Sequence, residues 1–149
     1  MSNRILALDP AEKFGWSVSN RIFGCWNFAI KRDQSFGIKL IKFKSKLHAT
    51  VKAHKIDLIV FERVSGHHSA AIMSHSKFIA VIEIYCLENN IPYQGYSAPA
   101  IKKDATGKGN CGKPEMIKAA QDRLGYQGTD DNEADALWLL NLANKEFNK

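Results

Sequence analysis

The stretch "KIDLIVFERV", residues 55 to 64, constrains the fold more than any other part of the chain. Its centre is an unbroken apolar run of strand length, the pattern of a strand buried on both faces rather than of one with a wet side. Such a strand needs helices above and below it, which calls for an α/β layer arrangement. The run closes on an acid, Glu62.

The flanking sequence supplies the other layers. "RILALDP", "FGWSVSN" and "RIFGCWNFAI" read as three strands in a meander, punctuated by Gly15, Asn20 and Gly24. Residues 35 to 54 carry Phe36, Leu40, Phe43, Leu47 and Val51 at helical spacing with lysines between them, which predicts an amphipathic helix. A second helix is expected over Ala70 to Glu88, and a fifth strand in "IPYQGYS". After a Lys- and Gly-rich loop, "KPEMIKAAQDRLG" has Pro near its start and Gly just past its end, as a helix should. A final helix begins near Asp131. The expected order is βββαβαβαα: one domain over residues 1 to 149, with a mixed five-stranded sheet and helices on both faces.

The acids fall at telling places in this order. Asp9 closes the first strand, Glu62 closes the fourth, and "DDNEADALWLL" opens the last helix. Asp130 followed by Glu133 is a capping-box pattern, and acids in a first turn suit the helix dipole. Neither reason reaches Asp135, in the second turn. Carboxylates converging from separate elements repel one another unless a cation holds them, which points to a hard divalent ion, Mg²⁺ or Mn²⁺, on oxygen ligands. Two such ions about 3.5 to 4 Å apart can clamp a phosphodiester. Taken singly, an acid at a strand end is as often a loop solubiliser as a functional group; together with Asp135 the three make a site.

Composition narrows the class. The chain has 149 residues, 45% apolar and 24% charged, which is globular and excludes disorder and coiled coil. No unbroken apolar run approaches the roughly 20 residues of a membrane span, and "MSNRILALDP" lacks a signal-peptide layout, so no membrane association is expected. A cytoplasmic protein is expected, in the host cytoplasm if the chain is phage-encoded. Cys25, Cys86 and Cys111 are odd in number and widely spaced, suggesting neither disulfides nor a zinc site. Lys and Arg outnumber Asp and Glu by 21 to 15, giving +6 overall, and several of the acids are concentrated in residues 128 to 135. That balance suits a polyanionic partner.

"ILALDP", "LIVFERV", "IKKDATGKGNCGKPEMIKAA" and "DDNEADALWLL" together resemble the RuvC-type Holliday junction resolvases of the RNase H-like superfamily, most closely their compact phage-type members. The resemblance covers nearly the whole chain. It implies an RNase H-like fold, a homodimer, and Mg²⁺- or Mn²⁺-dependent nicking of paired strands at a four-way DNA junction, with two ions in each active site. By the same resemblance Asp9, Glu62 and Asp135 are metal ligands. Two departures stand out. RuvC proteins usually have Gly after Asp-Pro, where this chain has Ala11. Bacterial members carry a further acid three residues before the last aspartate, where this chain has Asn132, while Asp131 lies four before. Both spacings share a helix face, and Asp131 is expected as the fourth ligand because it is anionic, with Asn132 the alternative.

Lys102, Lys103, Lys108 and Lys113 lie among glycines, which lets backbone amides approach phosphate. Their spacing resembles the phosphate-binding segment of RuvC, and Lys113 is expected to act on the scissile phosphate; otherwise they are a solvated loop. Arg63, His67 and His68 follow Glu62 and are expected to contact DNA or to form plain loop surface. A zinc site with His75 is disfavoured, because adjacent imidazoles point apart and no fourth ligand is spaced to join them. Competing readings are a nuclease on the same scaffold for flaps, forks or RNA-containing duplexes, and a catalytically inactive junction-binding protein. An ATP-binding protein of the actin and sugar-kinase type would need two lobes and a second glycine-rich phosphate loop, for which the chain is too short.

Overall fold

A computed structural model describes residues 2–66 and 69–148. The elements are β1 (Ile5–Asp9), β2 (Lys13–Ser17), β3 (Phe23–Asn27), α1 (Phe36–His54), β4 (Leu58–Glu62), α2 (Ala70–Glu88), β5 (Tyr93–Tyr96), α3 (Ala98–Thr106), α4 (Lys113–Arg123) and α5 (Asp131–Phe147). The strands form one mixed sheet in the order β3-β2-β1-β4-β5, antiparallel across β3, β2 and β1 and parallel across β1, β4 and β5.

The alternation of side chains along each strand divides the core in two. Ile5 and Ala7 of β1, with Leu58 and Val60 of β4, pack under α3, α4 and α5, where Ile101, Met116 and Trp138 meet them. Leu6 and Leu8, with Ile59 and Phe61, face α1 and α2 and join Phe43, Leu47, Phe78 and Ile82. Phe14 is the hub of that second layer, stacked on Phe43 at 4.6 Å and edge-on to Phe78 at 5.2 Å between ring centroids. Trp138 is fully buried, and its indole N–H donates to the Met116 carbonyl at 3.2 Å.

The expected Lys- and Gly-rich loop is mostly a helix. α3 starts at Ser97, whose hydroxyl accepts from the Ala100 N–H at 3.2 Å, has Pro99 in its first turn, and stops at Gly107, which takes φ +84° and donates its N–H to the Lys103 carbonyl. Lys102 and Lys103 therefore ride on a helix, and only residues 107 to 112 form a loop. α2 is apolar nearly all round. It is long and apolar enough to cross a membrane, at 19 residues with a mean hydropathy of 1.4, yet one side of it, at Phe78, Ile82, Tyr85 and Cys86, is built into the core.

Candidate active site

Odd-numbered residues of β1 and even-numbered residues of β4 face α5, so Asp9 and Glu62 extend the rows Ile5–Ala7 and Leu58–Val60 on the same side of the sheet. Leu8 lies beside Phe61 in the parallel ladder, which makes Asp9 and Glu62 lateral neighbours at the ends of the two central strands. α5 brings the other acids. It crosses the same face so closely that a methyl group added at Gly15, the residue opposite Asp9 in β2, would stand 2.1 Å from the Asn132 carbonyl oxygen. The buried Ser17 hydroxyl fixes the next turn, donating to the Ala136 carbonyl at 2.7 Å. Ala134 and Ala136 are fully buried, and their small side chains permit this approach.

The electrostatics bind these carboxylates into one group. Burial drives the Asp9 carboxyl well above its usual pKa, reinforced by Asp135, Glu62 and Asp131 and opposed by Lys113. Burial also raises Glu62, against the pull of Lys102. Asp135 is pushed up to about 7 by burial, Glu62 and Asp131, with Lys102 and Lys113 pulling back. Asp131 pairs with Lys113, Nζ to Oδ2 at 3.4 Å. Glu62 and Asp131 each act on both Asp9 and Asp135, yet among the described residues no three acidic, histidine or cysteine side chains sit close enough to grip an ion as they stand. An all-oxygen anionic set that its surroundings force toward protonation is short of positive charge, and its chemistry fits a hard dication.

The helix cap is richer than the capping-box pattern implies. Asp130 is the N-cap, and its Oδ1 accepts from the N–H groups of Asn132 (2.8 Å) and Glu133 (3.3 Å). The reciprocal half is taken by Tyr126, whose hydroxyl accepts the Asp130 N–H at 2.9 Å and lies 2.9 Å from Glu133 Oε1. Gly128 leaves room for that hydroxyl, since a methyl group there would meet it at 2.5 Å.

The basic residues divide. Lys113 opens α4 beside Asp131, and the charge of Lys102, on α3, acts on Glu62 and Asp135. Lys103 and Lys108 are exposed. Arg63 does not join them. It continues the β4 row that faces α1 and α2, and its stem crosses Gly95 so tightly that a methyl group there would lie 2.6 Å from Cγ. His67 and His68 lie outside the described residues. Sequence reasoning missed the role of His75: its Nε2–H donates to the Glu62 carbonyl at 2.8 Å and pins the end of β4, while burial holds the imidazole below its ordinary pKa. Gly15 was legible only as punctuation, although a glycine inside a strand is itself a sign of close backbone approach.

Five strands in this order, with acids at the ends of the adjoining central parallel strands and on the helix crossing them, define an RNase H-like fold. No protein-family model matches the chain. In sequence the chain is 27% identical over 105 residues to the crossover junction endodeoxyribonuclease RuvC of Gloeobacter violaceus, a match covering 69% of this chain and 61% of that relative. The matched stretch is thus about three fifths of the relative's length. In structure the chain resembles Thermus thermophilus RuvC in complex with Holliday junction substrate (TM-score 0.74, 13% identity, 91% of this chain and 88% of that one). It also resembles the yeast mitochondrial Holliday junction resolvase (TM-score 0.61, 14% identity, 93% and 76%). By sequence and by fold together the chain is similar to RuvC proteins.

Proposed function

We propose that this protein is a metal-dependent, structure-specific DNA endonuclease that resolves four-way junctions by paired nicks, acting as a homodimer. The observation that carries this reading is the meeting of Asp9, Glu62, Asp131 and Asp135 in one electrostatic cluster with Lys102 and Lys113 at its rim, on a RuvC-like fold.

In this reading the four acids hold Mg²⁺ or Mn²⁺, probed as two ions, which when bound supply an activated water and neutralise charge on the leaving oxygen. The chain's own residues set the geometry. His75 and the β1–β4 ladder fix Glu62 beside Asp9, and Gly15 and Ser17 hold α5 down over them. Lys113 exchanges Asp131 for the scissile phosphate, while Lys102, Lys103 and Lys108 anchor flanking phosphates. Asp131 is favoured over Asn132 as fourth ligand because its charge acts on both Asp9 and Asp135, whereas the backbone of residue 132 sits over β2. Arg63, on the other face, is assigned to a DNA arm rather than to the cut.

The dimer reading is supported by α2. Met73, Ile84 and Leu87 are 64%, 56% and 70% exposed, and with Lys77 and Ala80 they fall at alternating steps of four and three along its outer side. A self-complementary stripe of this kind suits a two-fold axis, which also places two active sites on one junction.

The test compares four-way, forked and linear DNA with and without Mg²⁺, using the wild type and Asp9→Asn. Symmetric paired nicks in the four-way substrate alone, Mg²⁺-dependent and lost in Asp9→Asn with binding retained, are expected. Equal cutting of forks would move the assignment to a general branch nuclease, and metal-independent or absent cleavage would sink it.

A further inference from the structure

α1 carries an electrostatic arrangement that the active site does not use. Between Phe36 and His54 it has five lysines and no acid, and no acid occupies its first turn. Lysines in the N-terminal half oppose the helix dipole, and Lys42 and Lys46, four residues apart, repel each other on one flank. Solubility requires surface charge but not charge of one sign, so a solvated face alone leaves this bias unexplained. Among the described residues the α1 lysines have one carboxylate contact, Lys39 to Glu12 at 3.7 Å.

Their position ties them to the site. β3 ends at Asn27, opposite Lys13, so α1 starts at the end of the sheet where Asp9 lies, although on the opposite face. Glu12, which Lys39 touches, belongs to the hairpin that leaves Asp9. From there the lysine flank runs back along the helix, Lys42 and Lys46 being about 6 Å apart along its axis. They line a groove with Asn27, Phe28, Ile41 and Ser45. The Asn27 Oδ1 accepts from the Ala29 N–H at 2.9 Å, which leaves its amide N–H groups free to donate outward. Every polar side chain of this groove can therefore offer a proton to an anion.

We propose that this flank, Asn27, Lys42, Ser45 and Lys46, is a second phosphate-binding track that holds the duplex of a junction arm as it passes over the end of the sheet. The proposal rests on the DNA reading above and adds where an arm runs beyond the cut. A membrane surface is the poorer match, because Ile41 is the one large exposed apolar side chain on α1 and gives little to bury in lipid.

The experiment measures binding of Lys42→Ala/Lys46→Ala to four-way junctions with long arms and with arms trimmed close to the branch, across a salt series in chelator. Alanine favours the helix, so the variant folds. On long arms the log–log salt slope should shrink by up to about 1.8, and affinity should fall on the order of tenfold at 0.2 M salt. On trimmed arms the variant should match the wild type, and kcat at saturating long-armed junction should be unchanged. An unchanged slope, an equal loss on trimmed arms, or loss of binding only to phosphatidylserine vesicles would overturn the track. A wild type that shows the lysine- and arm-dependent binding but cuts no junction would leave the track standing and refute the nuclease reading instead.

Discussion

Replacing Gly15 by Ala adds one methyl group at the tightest contact beneath α5. The new Cβ would lie 2.1 Å from the Asn132 oxygen, 2.8 Å from the Asn132 carbon and 3.5 Å from the Ala136 Cβ. Relieving the first contact takes a shift of about 1 Å, and both obstructing atoms are backbone, so no rotamer can supply it. The Ser17–Ala136 hydrogen bond holds the following turn, so the helix should lift at its N-terminal end and carry Asp131 and Asp135 away from Asp9 and Glu62. Overpacking of this kind costs about 1–3 kcal/mol of stability. A misplacement of about 1 Å in reacting groups costs on the order of 100-fold in rate, or about 2.7 kcal/mol. Junction affinity, which the proposed function assigns to the lysines, should change little. The assay is single-turnover cleavage of a four-way junction over a Mg²⁺ titration, with thermal melting alongside. Gly15→Ala should melt several degrees lower, need more Mg²⁺ and cut about 100-fold more slowly while remaining folded at the assay temperature. Full-rate cleavage by the folded variant would refute the idea that α5 must sit this close for the acids to cooperate.

Two further outcomes follow from the same group of acids. Asp131→Asn should raise the Mg²⁺ needed for half-maximal cleavage and lower the rate, while Asn132→Ala should leave both nearly unchanged; the reverse pattern would transfer the fourth ligand to Asn132. In chelator, the folded-state pKa of Asp135 is raised from 3.8 to about 7, and Asp9 and Glu62 shift the same way, so the folded protein holds more protons than the unfolded chain. Their stabilisation is complete below about pH 4 and is lost as pH rises through about 7, with His75, whose pKa is lowered, pulling the other way only below about 6.5. The melting temperature of the metal-free protein should therefore fall from pH 5 to pH 8, and Mg²⁺ should flatten the fall; a metal-free protein that melts higher at pH 8 would contradict the crowding of these carboxylates.

The parts of the fold that sequence conveyed are those in which one element states its own environment. The unbroken apolar run of β4 announced a sheet covered on both faces, and α2 falls over Ala70 to Glu88 as its pattern implies. Asp9 and Glu62 were legible because each ends a strand whose row of side chains could be followed. α3 was hidden by composition: lysines and glycines looked like a loop, although Ser97, Pro99 and Gly107 mark a start and a stop. What remained out of reach are contacts between distant segments. No periodicity says that the carbonyl of Glu62 will receive His75, that Tyr126 will stand inside the cap of α5, or that the missing side chain of Gly15 makes room for residue 132.

The acids come from β1, β4 and α5, so the site draws on segments made at widely separated moments of synthesis. A ribosome-bound chain that has released β1 to β5 but not α5 has two of its four carboxylates and an uncovered apolar sheet face. On the proposed reading such an intermediate has no catalytic centre. Seating α5 covers that face and completes the acid cluster in one event, so under that reading a half-made or misfolded copy is a candidate for aggregation or proteolysis rather than a stray nuclease loose among the cell's own DNA.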